Sequence, residues 1–205
     1  MGYYYEHVLP RLLNKAADTK VVRAARGRVC EGLRGDVVEI GFGSGLNVTH
    51  YPAEVTKVVA IEPSALSMQL ARPRIATSPA HVEFGGLDGQ RLDLPSDQFD
   101  AVLSTWTLCT IPDLGSALAE VRRVLKPGGE FHFVEHGHAP DENVARWQER
   151  LEPLNKRIFN GCHLTRTISD DIDHSGFVIE QLDTYYAKGT PKPMSYTYEG
   201  RARKA

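Results

Sequence analysis

The chain has 205 residues, 24 Lys+Arg against 26 Asp+Glu, and a formal net charge of −2. That balance argues against a nucleic-acid partner, and the length suits a single domain with room for a full α/β core. There is no apolar run of roughly eighteen residues to span a bilayer, no basic and apolar leader in Met1–His7, and only three scattered cysteines, Cys30, Cys109 and Cys162, so no disulfide framework or zinc cluster is expected. The expected setting is cytoplasmic, without a membrane anchor.

In chain order, residues 6–31 read as helical, with Val8, Leu12, Leu13 and Ala16 near one face and Pro10 marking a late start or kink. Strand 36–41 runs into Gly41-Phe42-Gly43-Ser44-Gly45, after which a helix is expected near Ser44 or Leu46. A second strand, 57–62, ends on Glu62. Pro63-Ser64 then opens a helix, capped by Ser64 and stopping before Pro73. Short strand 81–84 is followed by strand 99–104, an apolar run suited to a buried parallel strand. Asp113 caps a helix to Leu125, Lys126-Pro127-Gly128-Gly129 is a turn, and 130–135 is a strand. Residues 141–158 and 167–175 read as helices, 177–183 as a strand, and 195–203 as an alternating terminal strand.

Strands alternating with helices imply a doubly wound, Rossmann-like sheet with helices on both faces. A ligand then sits beyond the C-terminal strand ends, near the point where strand order reverses. That rule selects Glu39 to Gly45, Glu62, Asp88, Ser104 to Trp106 and Glu135 to His138.

The glycine loop indicates which ligand. A dinucleotide fingerprint reads G-x-G-x-x-G and seats a pyrophosphate on a helix N-terminus. Here the order is G-x-G-x-G, and Leu46 stands where the third fingerprint glycine would be. Glu39, inside the first strand, would repel a pyrophosphate and attract a cation. Glu62, 17 residues past Gly45, can accept two ribose hydroxyls. S-adenosylmethionine (SAM) has no phosphate and carries an ammonium and a sulfonium, so this pattern favours SAM over NAD.

With Glu39-Ile40-Gly41-Phe42-Gly43-Ser44-Gly45, Glu62-Pro63-Ser64, Leu94-Pro95-Ser96-Asp97-Gln98-Phe99-Asp100 and Leu125-Lys126-Pro127-Gly128-Gly129, the chain resembles the class I SAM-dependent methyltransferases from Asp36 to Glu135. The resemblance implies a seven-stranded, mostly parallel sheet with its last strand antiparallel. It implies an N-terminal helical cap, residues 1–35, over a SAM-binding core of residues 36–205. Glu39, Gly41, Phe42, Gly43, Gly45 and Asn47 would hold the amino-acid end of SAM, and Glu62 with Pro63 the ribose. Asp88, Gly89 and Gln90 would meet the adenine, although Gly86-Leu87-Asp88-Gly89 departs from the usual G-D-A-E. Thr105 and Trp106 would border the cofactor, and the product would be S-adenosyl-L-homocysteine.

Glu135-His136, Trp147, Thr107-Leu108-Cys109-Thr110 and Gly161-Cys162-His163-Leu164-Thr165-Arg166 resemble the thiol-methylating branch of this family. That likeness implies a small-molecule acceptor, a thiol or hydrosulfide. O-methylation of a phenol or quinone-type molecule is the alternative; an NAD-type oxidoreductase and a non-catalytic SAM-binding protein lie outside the class. The candidate catalytic bases are His136 and His163. Tyr4, Tyr5, Trp147, Phe159 and Cys162 are the candidate acceptor-side residues, each with helix packing or burial as its competing reading. No metal is expected: at about 3.3 Å per residue, His132 lies roughly 20 Å from His138, so His132, His136 and His138 do not converge. The oligomeric state is left open.

Overall fold

The computed structural model describes residues 2–205. Seven strands form one sheet: β1 (Gly35–Ile40), β2 (Val55–Ile61), β3 (His81–Gly86), β4 (Phe99–Thr105), β5 (Leu125–His136), β6 (Phe177–Tyr186) and β7 (Tyr196–Lys204), in the order β3-β2-β1-β4-β5-β7-β6. The chain leaves β1 toward β2 and β3, then returns to lay β4 on the other side of β1. The sheet therefore reverses its order of growth between β1 and β4. Parallel pairing holds from β3 across to β5, and β7 runs antiparallel to both β5 and β6.

Side-chain alternation along the strands fills two apolar layers. Val38, Ile40, Val102, Phe131 and Phe133 pack on one face against Leu118 and Val121 of α4 (Leu114–Val124) and Ile168 and Ile172 of α6 (Ile168–His174). Val37, Val58, Leu103 and Val134 pack on the other against Ala25 and Val29 of α2 (Lys20–Cys30) and Ala71 of α3 (Ala65–Ile75). Glu39 shares the parity of Val37 and is fully buried on the α2 side.

Several expected elements take a different form. The helix expected over 6–31 is two helices, α1 (Leu9–Ala16) and α2, preceded by a π-helical turn at Tyr4–Val8. Thr19 is the break: its extended backbone (ψ 159°) lets its hydroxyl accept from Val22 N and start α2 afresh. After the glycine loop there is only a 3-10 turn, Val48–His50; Pro52 holds Tyr51 extended, which ends helical growth. Pro73 does not stop α3, which runs through it to Ile75; it costs the helix one i to i−4 bond, and the helix ends two residues later. The Lys126–Gly129 turn is absorbed into β5 as a register shift opposite Phe99–Ala101. Ser64 and Asp113 cap α3 and α4 by accepting from Ser67 N and Ser116 N. The remaining helix is α5 (Glu142–Ile158). Among the described residues, no helix is long and apolar enough to cross a membrane.

Candidate cofactor and acceptor site

A cavity of about 290 Å³ opens at the C-terminal ends of β1, β2 and β4, where the strand order reverses. Its floor is the glycine loop. Gly41 and Phe42 donate their N–H groups to the Ile61 carbonyl at 2.9 and 3.1 Å, which turns the chain sharply out of β1. Gly41 has φ +72°, and a Cβ there would fall 1.9 Å from Thr107 Oγ1. Only glycine lets the β1 turn and the segment after β4 approach this closely.

Glu62 closes one wall. Its Oε2 accepts from Gly43 N and its Oε1 from Ser64 N, both at 2.8 Å. Burial raises this carboxyl above the ordinary range, and the two backbone donors work against the rise. A carboxylate has about four acceptor positions, so two remain for ligand hydroxyls. Across the cavity, Trp106 follows β4 with φ +52°, a left-handed conformation rare for a bulky residue. Such a conformation persists only where its surroundings enforce it, and Trp106 N donates to Val134 O at 2.8 Å.

Behind the glycine loop lies a buried polar chain. Glu39 Oε1 accepts from Asn47 Nδ2 at 2.9 Å, and Oε2 accepts from the Tyr51 hydroxyl. Arg26 donates to Asn47 Oδ1 at 2.7 Å and Thr105 Oγ1 at 2.9 Å, and its guanidinium lies 4.9 Å over the Trp106 ring. Complete burial pushes Glu39 up to about 7, against the pull of Tyr51, Asn47 and Arg26. Burial likewise works against the charge on Arg26, with Glu39 as its main electrostatic offset. Glu39 and Asn47 therefore sit behind the wall, and Arg26 is the charged member of the chain that lines the cavity. An arginine between Ala25 and the apolar Val29 and Cys30, on the packed face of α2, is a signal that a sequence reading could have used.

The roof is α1. Leu9, Pro10 and Leu13 face the cavity, as does Tyr5, whose hydroxyl donates to Arg157 O at the end of α5. Asn14 Oδ1 accepts from Ser44 Oγ in the glycine loop at 2.7 Å. Phe159 and Asn160 complete the far end.

Of the residues singled out from sequence, Gly41, Phe42, Gly43, Glu62, Pro63, Thr105, Trp106, Tyr5 and Phe159 come together on this cavity. Gly45 does not: it packs on Ala71 and Phe42. Asp88, Gly89 and Gln90 also stay outside. Asp88 accepts from Gln90 N, Gln90 Oε1 accepts from Asp113 N, and Gly89 sits against Ile40 and Ile111. Tyr4 is exposed, and Trp147 is 53% exposed on α5 with Arg150 over its ring. The i to i+4 turn of α5 that points to the core carries Val144 and Gln148 instead.

The two candidate bases are also held away from the cavity lining. His163 Nδ1 pairs with Glu152 at 2.8 Å, and the same carboxylate accepts from Leu164 N and Thr165 N, so His163 is tied into its own loop. His136 Nε2 lies 2.9 Å from Cys162 Sγ, and Cys109 Sγ is 3.5 Å from Cys162 Sγ. The Cys109 thiol, with His136 beside it, brings Cys162 down to about 5 despite burial, while Cys109 is pushed well up. Burial disfavours the charged form of His136, but the Cys162 sulfur and Glu135 outweigh it and its pKa rises. His132 is elsewhere, bonded to Val29 O under α2. Arg166 is structural, its guanidinium holding the Leu108 and Ile111 carbonyls.

Comparison with known proteins finds similar chains. The family described as "Methyltransferase domain" matches residues 38–133. The thiol S-methyltransferase TMT1B of Rattus norvegicus is 35% identical over 72% of this chain, a stretch that spans 62% of the rat protein's length. The thiol S-methyltransferase TMT1B of Mus musculus is 31% identical over 88% of this chain and 76% of its own. Among solved structures, an S-adenosylmethionine dependent methyltransferase from Mesorhizobium loti superposes with a TM-score of 0.66 at 19% identity, covering 91% of this chain and 98% of that one. At that identity the likeness concerns the fold.

Proposed function

We propose, from the premise that the chain belongs to the class I SAM-dependent methyltransferases and is related to their thiol S-methyltransferase branch, that it transfers the methyl group of SAM to the sulfur of a small thiol or hydrosulfide. The glycine loop and Arg26 would seat the amino-acid end of SAM, and the free acceptor positions of Glu62 would take the ribose hydroxyls. The acceptor thiolate would attack the methyl carbon in line as the bond to the sulfonium breaks, giving the methyl thioether and S-adenosylhomocysteine. Positive and negative charge are consumed together, so the work left to the protein is alignment and exclusion of water.

The observation that carries the acceptor choice is the chemistry of the cavity lining. Among the described residues facing it there is no histidine, and its one carboxylate, Glu62, already accepts two backbone N–H groups. An acceptor there must ionise with little help. A thiol, at a pKa of about 8.5, is partly ionised at neutral pH; a phenol, at about 10, is not. The test is SAM turnover with a panel of thiols, hydrosulfide, phenols and amines, read as S-adenosylhomocysteine release. Thiols are expected to exceed phenols by at least about tenfold, in proportion to their ionised fraction. Turnover of a phenol with none of any thiol would overturn the assignment in favour of O-methylation.

The roof provides a second test. Deleting residues 1–15 removes Tyr5, Leu9 and Leu13 from the cavity while leaving the sheet and both of its apolar layers. The truncated protein is expected to keep its circular dichroism but lose at least about tenfold in kcat/KM for the acceptor, as positioning and water exclusion are lost. Unchanged kcat/KM would show that the N-terminal segment is no cap.

A further inference from the structure

We propose that Cys109, His136 and Cys162 form a binding site for one thiophilic divalent cation, zinc by preference, next to the end of the cavity lined by Thr110 and Asn160. Their ligand atoms all lie within 4.8 Å of one another, and they are the one such His/Cys/Asp/Glu group among the described residues. With zinc–sulfur bonds of about 2.3 Å and zinc–nitrogen bonds of about 2.0–2.1 Å, neighbouring ligands in a tetrahedral site stand roughly 3.4–3.8 Å apart. The observed 3.5 Å between the sulfurs needs a spread of about 0.3 Å, and the 2.9 Å between Cys162 Sγ and His136 Nε2 one of about 0.6 Å.

Each ligand is anchored on a different element. Cys109 lies in the 3-10 turn after β4, and its carbonyl accepts from His163 N at 2.8 Å. His136 ends β5. Cys162 follows α5, and its carbonyl accepts from Asn155 Nδ2 at 2.8 Å. A site assembled this way is preorganised by backbone contacts rather than gathered by the metal.

Beside the cluster, His136 Nδ1 and Glu135 Oε2 are buried without a hydrogen-bond partner; a cation on His136 Nε2 would fix the ring proton on Nδ1 and leave these two atoms as they are. A divalent cation would take both thiols as thiolates, releasing two protons to solvent, and two thiolates plus a neutral imidazole make a charge-neutral complex suited to burial. Three protein ligands would leave the fourth tetrahedral position for water or a small ligand. The metal would also fasten the segment from Phe159 to Arg166 to the turn carrying Cys109. Thr110 and Asn160, the flanking residues of that junction, line the cavity.

The test uses the reduced full-length protein with zinc chloride, and cobalt(II) chloride as the optical probe. The expected result is about one metal per chain by elemental analysis, a near-ultraviolet sulfur-to-cobalt charge-transfer band, and an X-ray absorption edge fitted by two sulfurs and an imidazole. Cys109→Ser and Cys162→Ser should remove the band and lower the stoichiometry at least about tenfold, while Cys30→Ser, whose thiol is buried under α2, keeps both. Metal content below about a tenth per chain in the reduced wild type, or bound metal without sulfur ligands, overturns the proposal. These readouts do not depend on turnover, so they stand or fall apart from the methyl-acceptor assignment, and the absorption measurement on the wild type needs no variant to fold.

Discussion

Gly41→Ala is expected to raise the Kd for SAM at least about a hundredfold, and to lower the thermal midpoint of the unliganded protein by several degrees. Two independent penalties meet there. An L-residue at φ +72° pays roughly 1–2 kcal/mol for the left-handed conformation alone. The new methyl group would also lie 1.9 Å from Thr107 Oγ1 and 2.6 Å from its Cβ, close to the backbone rather than at the end of a flexible side chain. The turn must then open, carrying Gly43 N away from Glu62 and displacing Thr107, whose own N–H is held by Glu135. Isothermal titration with SAM and a melting curve measure the two losses. Adding Thr107→Gly to the Gly41→Ala variant separates them: it removes the clash but not the backbone strain, so partial recovery is expected. Full SAM affinity in Gly41→Ala would show that the loop does not seat the cofactor.

Glu39→Gln is expected to abolish a pH dependence of SAM binding. With its carboxyl at about 7, the unliganded wild type is mostly protonated at Glu39 at pH 6 and mostly ionised at pH 8. SAM brings an ammonium toward the wall formed by Arg26 and Asn47, and an ionised Glu39 behind that wall offsets the gathering of positive charge. Affinity should therefore rise with pH between 6 and 8, by up to about tenfold per unit below the pKa. The stability of the unliganded protein runs the other way. A folded pKa above the unfolded one means that the native state holds the proton longer, so stability falls as pH increases from about 4.5 to about 7, by on the order of 3 kcal/mol if Glu39 acts alone. The Glu39→Gln variant should flatten both curves, weaken SAM binding at pH 8, and raise the melting temperature there. A flat wild-type affinity profile would place Glu39 outside the electrostatics of cofactor binding.

The parts of the molecule legible in sequence are those fixed by local patterns. β1, β2 and β4 are apolar runs bounded by glycine, proline or acidic residues, and their C-terminal ends converge where the sheet reverses. Gly41 to Gly43, Glu62 and Trp106 line the cavity for that reason. The rest depends on contacts between distant segments. Arg26 reaches the cavity only because α2 packs over β1 and β4, and its partners Asn47 and Thr105 are 21 and 79 residues away. Cys109, His136 and Cys162 share no sequence spacing, since a turn, a strand end and a loop bring them together; a search confined to the histidines of β5 passes over them. The break at Thr19 turned on one residue serving as a cap where a continuous helix was equally compatible with the pattern. Trp147 was misplaced because an aromatic on an amphipathic helix does not declare which face it occupies.

The roof has one more consequence. It is pinned at both ends by single polar contacts, Asn14 to the glycine loop and Tyr5 to the end of α5. One pin reports on the floor where the cofactor would lie and the other on the far wall. A helix held in this way acts as a shared latch, so entry on one side is sensed by the other. Loss of either contact would leave the roof hinged on the other alone and open the cavity from that side.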